Sequence, residues 1–275
     1  MTILTEDFVL PNGVRIPKLG FGTWQIPNDV APQAVASALA LGYRHVDTAR
    51  VYRNEDGVGQ GIKASGVPRE QVFVTTKIPS SLKTYEEVGP CIDESLRLLG
   101  TDYIDLLLIH APKPYPPQQW DADKTFFDEN SAVWQAMEDA YEAGKLRSIG
   151  VSNFEIPDIE NLLDTCHIEP MVNQIEFHVG FTQDELTGFC QMRDIIVEAY
   201  SPLGIGSLID NPDIGIVAAR CNVSVAQLCI RYALQLGTLP LPRSVNPDHI
   251  AENTKVDFEI SDDDMAALDS VGVVG

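Results

Sequence analysis

A strand-like run that stops at an acid, with a tyrosine five residues further on, is the most chemically suggestive stretch of this chain. From Gly42 to Gly61 it reads GYRHVDTARVYRNEDGVGQG: an apolar run over Tyr43–Val46, Asp47 at its end, a small-residue turn, Tyr52, and Asn54-Glu55 opening a helix. Two further apolar runs end in groups that can work with these, Lys77 after FVTT and His110 after LLLI. A free tyrosine has a pKa of about 10, too high for efficient proton donation at neutral pH. An adjacent ammonium favours the phenolate and lowers that value, a role open to Lys77. A lysine buried beside a tyrosine needs a counter-charge, which Asp47 can provide. A histidine can donate a hydrogen bond to a carbonyl oxygen and hold it for reaction. Together these make a general acid aimed at a developing alkoxide, as carbonyl reduction requires. None of them supplies a hydride, so a nicotinamide cofactor is implied. Taken singly, each has a plainer explanation: a core histidine, a snorkelling lysine, a helix-capping aspartate, a packed tyrosine.

The chemistry therefore depends on elements that bring these residues to one place. Phe8–Pro17 reads as two short strands around Asn12-Gly13, the signal for a type I′ hairpin. Thereafter strand and helix patterns alternate. Strands are expected at Leu19–Thr23, Arg44–Asp47, Val72–Ile78, Ile104–His110, Ser148–Asn153, Met171–Phe177, Ile195–Tyr200 and Thr238–Ser244. Helices are expected near 31–41, 55–65, 85–99, 131–143, 156–165, 183–192 and 224–236, with a last one over Asp262–Ser270. Ser224-x-x-Gln227 is a capping box, and the 85–99 pattern carries Val88, Ile92, Leu96 and Leu99 at helical spacing before Gly100. The near-continuous apolar strands indicate a parallel sheet covered by helices. Eight such units without a compositional break predict one domain over residues 1–275, a closed (β/α)₈ TIM barrel with the hairpin plugging its N-terminal end. An open doubly wound sheet is the alternative, but no Rossmann fingerprint follows the first strand; Gly57-x-Gly59-x-Gly61 sits inside a helix signal and reads as close packing. The Pro-rich stretch 111–130 is too long for a plain connection and reads as functional.

Composition narrows the classes further. A chain of 275 residues can bury roughly 75% of its unfolded surface and needs no covalent staples. Its five cysteines are scattered without C-x-x-C spacing, which argues against disulfides or zinc and suits a reducing cytosol. No signal peptide is visible, and no apolar run approaches the ~20 residues of a membrane span. With 40 acidic against 19 basic residues, the formal charge of −21 repels nucleic acid and anionic membranes. The expectation is a cytoplasmic protein with no nucleic-acid, membrane or metal partner.

At the ends of the expected strands stand Asp47 with Tyr52 beyond it, Lys77, His110, Ser152-Asn153, Gln174, Tyr200 and Arg243-Ser244. With these residues the chain resembles the aldo-keto reductases, and does so from end to end. The matching segments are Gly22-Thr23-Trp24, GYRHVDTA with Tyr52 and Asn54-Glu55, TTKI at Lys77, LLLIH at His110, GVSNF at 150–154, VNQIEFH at 172–178, AYSPLG at 199–204 and LPRSVNPDHIAEN at 241–253. The resemblance implies hydride transfer from NADPH to an aldehyde or ketone, an α-dicarbonyl or keto-sugar among them, in a chain similar to diketogluconate reductases and small enough to be a monomer. It implies Tyr52 as proton donor, Lys77 and Asp47 as its tuning pair, and His110 as the group orienting the carbonyl. It further implies Ser152, Asn153 and Gln174 at the nicotinamide carboxamide, Tyr200 stacked on the ring, and Thr23 and Asp47 beside it. Ser201, Leu203 and Ser207 would follow the pyrophosphate. Arg243, Ser244, Val245, Asn246 and His249 would surround the adenosine 2′-phosphate, with Glu252 and Asn253 at the adenine.

Three departures from the family pattern bear on specificity. Arg243 stands where a lysine is common, and His249 where an arginine is common. A guanidinium still binds phosphate bidentately, whereas a histidine carries less charge at neutral pH. NADPH is expected to be favoured, with the preference over NADH relaxed. Ala111 replaces the tryptophan that often follows the histidine, which opens a substrate pocket lined by Trp24, Tyr52, His110, Ala111 and Trp120, with Phe126 either joining them or packing locally. A barrel hydrolase using Glu176 and Glu198 as paired acids is the competing enzyme class, but it leaves Lys77, Tyr52 and Arg243–Asn246 without a role. A non-catalytic NADPH sensor would keep the cofactor residues and lack turnover.

Overall fold

The computed structural model describes residues 2–115 and 123–272. A small antiparallel pair, β1 (Asp7–Val9) and β2 (Arg15–Pro17), precedes eight parallel strands. These are β3 (Phe21–Gly22), β4 (His45–Asp47), β5 (Phe73–Ile78), β6 (Leu106–Ile109), β7 (Ile149–Ser152), β8 (Val172–Glu176), β9 (Ile196–Tyr200) and β10 (Leu239–Pro240), each paired to the next in sequence. The circle closes where Gly20 N donates to Pro240 O at 3.1 Å and Gly22 N to Pro242 O at 3.0 Å. Closure needs glycine here, because a Cβ on Gly20 would sit 2.4 Å from Leu241 Cδ2 and 2.8 Å from His45 Nδ1. The result is the expected (β/α)₈ barrel.

Helices cover the outer face: α1 (Ala31–Ala40), α2 (Glu55–Ser65), α3 (Tyr85–Leu99), α4 (Phe127–Glu142), α5 (Ile156–Thr165), α6 (Asp184–Gln191), α7 (Pro212–Cys221), α8 (Val225–Gln235), α9 (Pro247–Glu252) and α10 (Asp262–Asp269). The apolar stripes of α1–α6 and α9 pack on outward side chains such as Val46, Val74, Ile109, Val151 and Val197 in one core, and those of α7, α8 and α10 pack around Phe177 and Ala199 in another. The inward set forms a third. Phe73, Leu106, Leu108, Met171, Val172, Leu239 and Leu241 meet Leu10 and Ile16 of the hairpin, which therefore seals the N-terminal end of the barrel. Asn12 Nδ2 anchors the hairpin by donating to Arg147 O at 2.9 Å.

Several local expectations change: β3 covers only Phe21–Gly22 of the strand expected over Leu19–Thr23, and α4 starts at Phe127, inside the stretch read as a connection to 130. The hairpin does not use a type I′ turn, because only Gly13 of the Asn12-Gly13 pair has positive φ. Gly13 N donates to Leu10 O and Leu10 N to Val14 O, so Pro11 and Asn12 occupy an ordinary turn and Gly13 a left-handed bulge. Helices α7 and α9 were not expected. Each opens with Asn-Pro-Asp, and the Asn211 and Asn246 side chains accept the first free backbone N–H groups while Pro occupies the first turn. The strand expected over Thr238–Ser244 covers only Leu239–Pro240, since prolines at 240 and 242 lack the N–H a ladder needs. Gly57 and Gly59 are close-packing positions as read: a Cβ would lie 2.2 Å from Asn28 O and 2.4 Å from Leu99 O respectively. Among the described residues no single helix is long and apolar enough to cross a membrane.

Candidate active site at the barrel mouth

The period of two along the strands decides which groups reach the barrel interior. On β5, Thr75 and Lys77 point inward, whereas Thr76 points out and donates to Glu55 on α2 at 2.7 Å. On β4, His45 and Asp47 point inward and Val46 joins the outer core. Lys77, 1% exposed, donates from Nζ to Asp47 Oδ2 at 2.6 Å and to Thr48 O at 2.8 Å. Its Nζ lies 5.2 Å from the centre of the Tyr52 ring, and the Tyr52 and His110 rings meet edge to face at 5.7 Å. The four residues read from the sequence as a chemical unit thus share one place.

Tyr52 is held there by the turn and helix start that follow β4. Asn54 is fully buried and donates from Nδ2 to Thr23 O and Ile26 O, both at 2.9 Å, while accepting from Thr48 Oγ1 at 2.8 Å. This staple, which the Asn54-Glu55 pair in the sequence does not reveal, ties the loops after β3 and β4 together.

The electrostatics differ in one respect from expectation. Burial pushes the Tyr52 phenol above its ordinary value; Lys77 acts downward, as anticipated, but does not outweigh burial. Burial opposes the charge on Lys77, but Asp47 first and then Tyr52 and Glu198 hold its pKa above the ordinary value. His110 is pushed down to about 3 by burial and then by Lys77, so its imidazole is neutral near pH 7.

The other strand ends gather around this group. Ser152 Oγ donates to Gln174 O at 2.8 Å. Asn153, left-handed at φ 59°, donates from Nδ2 to His110 O at 3.0 Å and accepts the Tyr200 hydroxyl at 2.8 Å, which joins three strand ends. Burial pushes the Tyr200 phenol up to about 12. Gln174 Nε2 donates to Asp47 Oδ2 at 2.9 Å and to Glu198 Oε2 at 2.6 Å. Thr23 is buried and donates from Oγ1 to Asp47 O at 2.9 Å. Ser201 is also left-handed, at φ 51°, and starts the loop carrying Leu203 and the exposed Ser207.

Across the mouth, Arg243 is exposed and reaches the β3 loop, donating from Nε to Trp24 O at 3.2 Å and from Nη2 to Gln25 at 3.4 Å. Val245 and His249 are exposed beside it, and Ser244 is buried. The Asn246 side chain caps α9, and Glu252 is engaged by Lys255 and Gln227; Asn253 is buried. Trp24 is 43% exposed and Ala111 half-buried at the rim. Phe126 is buried, with the ammonium groups of Lys83 and Lys124 over its ring. Trp120 lies outside the described residues.

The hydrolase alternative fails on position. Glu198 is fully buried beneath Gln174, so it cannot flank a glycosidic bond beside Glu176.

A parallel barrel with a buried lysine–aspartate pair, a tyrosine and a neutral histidine at its C-terminal mouth defines a class of carbonyl-handling oxidoreductase. The comparisons with known proteins agree, and the chain belongs to the Aldo/keto reductase family, whose model matches residues 18–273. It is 41% identical to the glyoxal reductase of Bacillus subtilis (strain 168), over 98% of this chain and 94% of that one. Among solved structures it resembles an aldo/keto reductase from Brucella melitensis, with a TM-score of 0.89 and 42% identity over 96% of this chain and 97% of that one. It also resembles the Bombyx mori aldo-keto reductase in complex with NADP, with a TM-score of 0.87 and 38% identity over 96% and 92% of the two chains.

Proposed function

We propose that this protein reduces small aldehydes and ketones to alcohols with NADPH, Tyr52 donating the proton. The observation that carries this is the buried Lys77–Asp47 pair set against the Tyr52 ring, with neutral His110 facing the same ring. The donor set also suits a nicotinamide: both N–H groups of Gln174 are taken by carboxyl oxygens, and no hydrogen bond from a described residue reaches its Oε1, which is left as an acceptor for an amide. Ser152, Asn153 and Gln174 would hold that carboxamide, with Tyr200 against the ring and Thr23 and Asp47 beside it. Ser201, Leu203 and Ser207 would lie along the pyrophosphate. Arg243, Ser244, Val245, Asn246 and His249 would form the 2′-phosphate site, and Glu252 and Asn253 would meet the adenine. Bound NADPH supplies a hydride to the carbonyl carbon.

The chain's own residues then manage the oxygen. His110 donates a hydrogen bond to the carbonyl oxygen and aims it at Tyr52. As the C=O π bond opens, the Tyr52 hydroxyl gives its proton to that oxygen, which leaves a phenolate beside the Lys77 ammonium. Burial keeps Tyr52 protonated until this moment, and Lys77 stabilises the anion once it forms. Solvent later returns the proton. Trp24 and Ala111 at the rim leave an open site suited to small carbonyls and α-dicarbonyls, in keeping with the name of the Bacillus relative. NADPH is favoured because Arg243 offers a bidentate phosphate partner. The reading takes residues 1–275 as one domain acting as a cytoplasmic monomer.

The test is consumption of NADPH with aldehydes and α-diketones by wild type and Tyr52→Phe side by side. The variant should lose at least roughly a hundredfold in kcat, as expected for removal of a positioned acid, while keeping NADPH affinity. Retained turnover in the variant removes Tyr52 from the mechanism.

A further inference from the structure

Glu198 is the strangest residue in the barrel on stability grounds. It lies on β9 with its side chain fully buried, and among the described residues no donor meets its Oε1. His45 Nε2 is 3.7 Å from that atom and is engaged instead with Thr75 Oγ1 at 2.9 Å. A carboxyl group in such a place destabilises the fold relative to an apolar side chain of the same size. Among the described residues it accepts one hydrogen bond, from Gln174 Nε2 at 2.6 Å, shorter than the 2.9 Å bond from the same nitrogen to Asp47. Asp47 Oδ2 is shared, because it also accepts from Lys77 at 2.6 Å. Glu198 is therefore the acceptor dedicated to Gln174.

We infer that Glu198 is a positioning residue: it grips the Gln174 amide from below, fixes which end of that amide faces the barrel mouth, and so presents Oε1 to the carboxamide N–H of the nicotinamide. The inference rests on the cofactor reading above, in which Gln174 meets that carboxamide. The grip needs an acceptor oxygen and not a charge, since a carbonyl lone pair takes the Gln174 N–H as well as a carboxylate does. Releasing it leaves the amide free to turn and tilt, with only the shared Asp47 oxygen to oppose this.

Glu198→Met and Glu198→Gln separate this role from a structural one. Binding is measured for NADPH and for 2′-phospho-ADP-ribose, which has no nicotinamide, together with thermal melting. Glu198→Met should melt no lower than wild type, bind NADPH about tenfold more weakly, as expected for loss of an orienting hydrogen bond, and bind 2′-phospho-ADP-ribose unchanged. Glu198→Gln should bind NADPH within about twofold of wild type, because the acceptor survives. Unchanged NADPH binding in Glu198→Met overturns the inference. So does equal weakening of both ligands, which marks general damage, or a Glu198→Gln variant as weak as Glu198→Met, which marks charge. Wild type that binds neither ligand removes the cofactor reading itself, a different failure from wild type that binds both while Glu198→Met matches it.

Discussion

Replacing Lys77 with Met tests the electrostatic core of the site most directly. The substitution keeps the unbranched stem in its buried place on β5 and removes only the ammonium. Two consequences follow from the geometry. The first concerns Tyr52: a unit charge 5.2 Å from the ring, in a medium of effective dielectric constant about 20, is worth about 3 kcal/mol to the phenolate. Losing it should lower kcat by roughly a hundredfold, since about 1.4 kcal/mol corresponds to a factor of ten. The second concerns Asp47, which keeps Gln174 as a donor but loses the cation at 2.6 Å. Leaving a buried charge unpaired costs about 3–5 kcal/mol, so the single variant should be markedly less stable. The double variant Asp47→Asn with Lys77→Met removes both charges and should recover most of that stability while staying inactive. Steady-state kinetics at saturating NADPH and carbonyl, beside denaturant titrations of the single and double variants, read both effects. A Lys77→Met protein that folds and turns over within about threefold of wild type would refute the reasoning, because no other described cation lies against the Tyr52 ring.

Other perturbations probe the cofactor side and the interior. Arg243→Ala should weaken NADPH by roughly ten- to a hundredfold while leaving NADH nearly unaffected, as expected for loss of a charge-assisted phosphate contact; competition between the two cofactors at matched concentration reads the ratio, and an equal loss for both removes Arg243 from the 2′-phosphate site. Stability should also depend on pH through the buried groups. Burial and then Asp47 raise the Glu198 pKa to about 8 from 4.5, so the native state keeps a proton that the unfolded chain releases, and stability falls as pH rises toward 8. His45 and His110 are lowered to about 3 from 6.5, so the unfolded chain takes up protons first and stability falls as pH drops below 6.5. Between pH 6.5 and 8 the two effects oppose each other, because the unfolded chain's histidines shed protons while native Glu198 holds one, so denaturant titrations should show wild type losing more stability per pH unit than Glu198→Met. An unchanged slope in the variant would mean that Glu198 is already ionised at pH 6.5.

Much of the site was legible because strand ends announce themselves. Asp47 and Ser152 end their strands, His110 follows one, and Lys77 and Gln174 lie within two residues of the ends of theirs, and in a parallel barrel all such ends lie on one rim. The alternation of side chains along each strand then sends Lys77 inward and Thr76 outward to Glu55 without further information. Helices α3 and α5 ran to their read boundaries because capping boxes and Gly100 punctuate them locally. Helices α7 and α9 are both marked by Asn-Pro-Asp at their starts; α7 also carries Ile214, Val217 and Ala218 at helical spacing, whereas α9 is too short for an apolar stripe. The hairpin turn departs from the Asn-Gly signal because Pro11 precedes it and shifts the turn by one residue.

What the sequence determined by itself was the strand–helix alternation, the barrel and the candidate side chains near the strand ends, since each follows from local pattern and from chemistry at strand ends. What only the tertiary structure decided was how those groups act on one another. The upward shift of Tyr52 depends on how much of the ring the surroundings bury, a sum over many residues distant in sequence. The partnership of Gln174 with Asp47 and Glu198 spans 127 and 24 positions of the chain and exists because closing the barrel brings β4, β8 and β9 around one interior. Burial and long-range pairing are properties of the closed barrel, and no local pattern along the chain carries them.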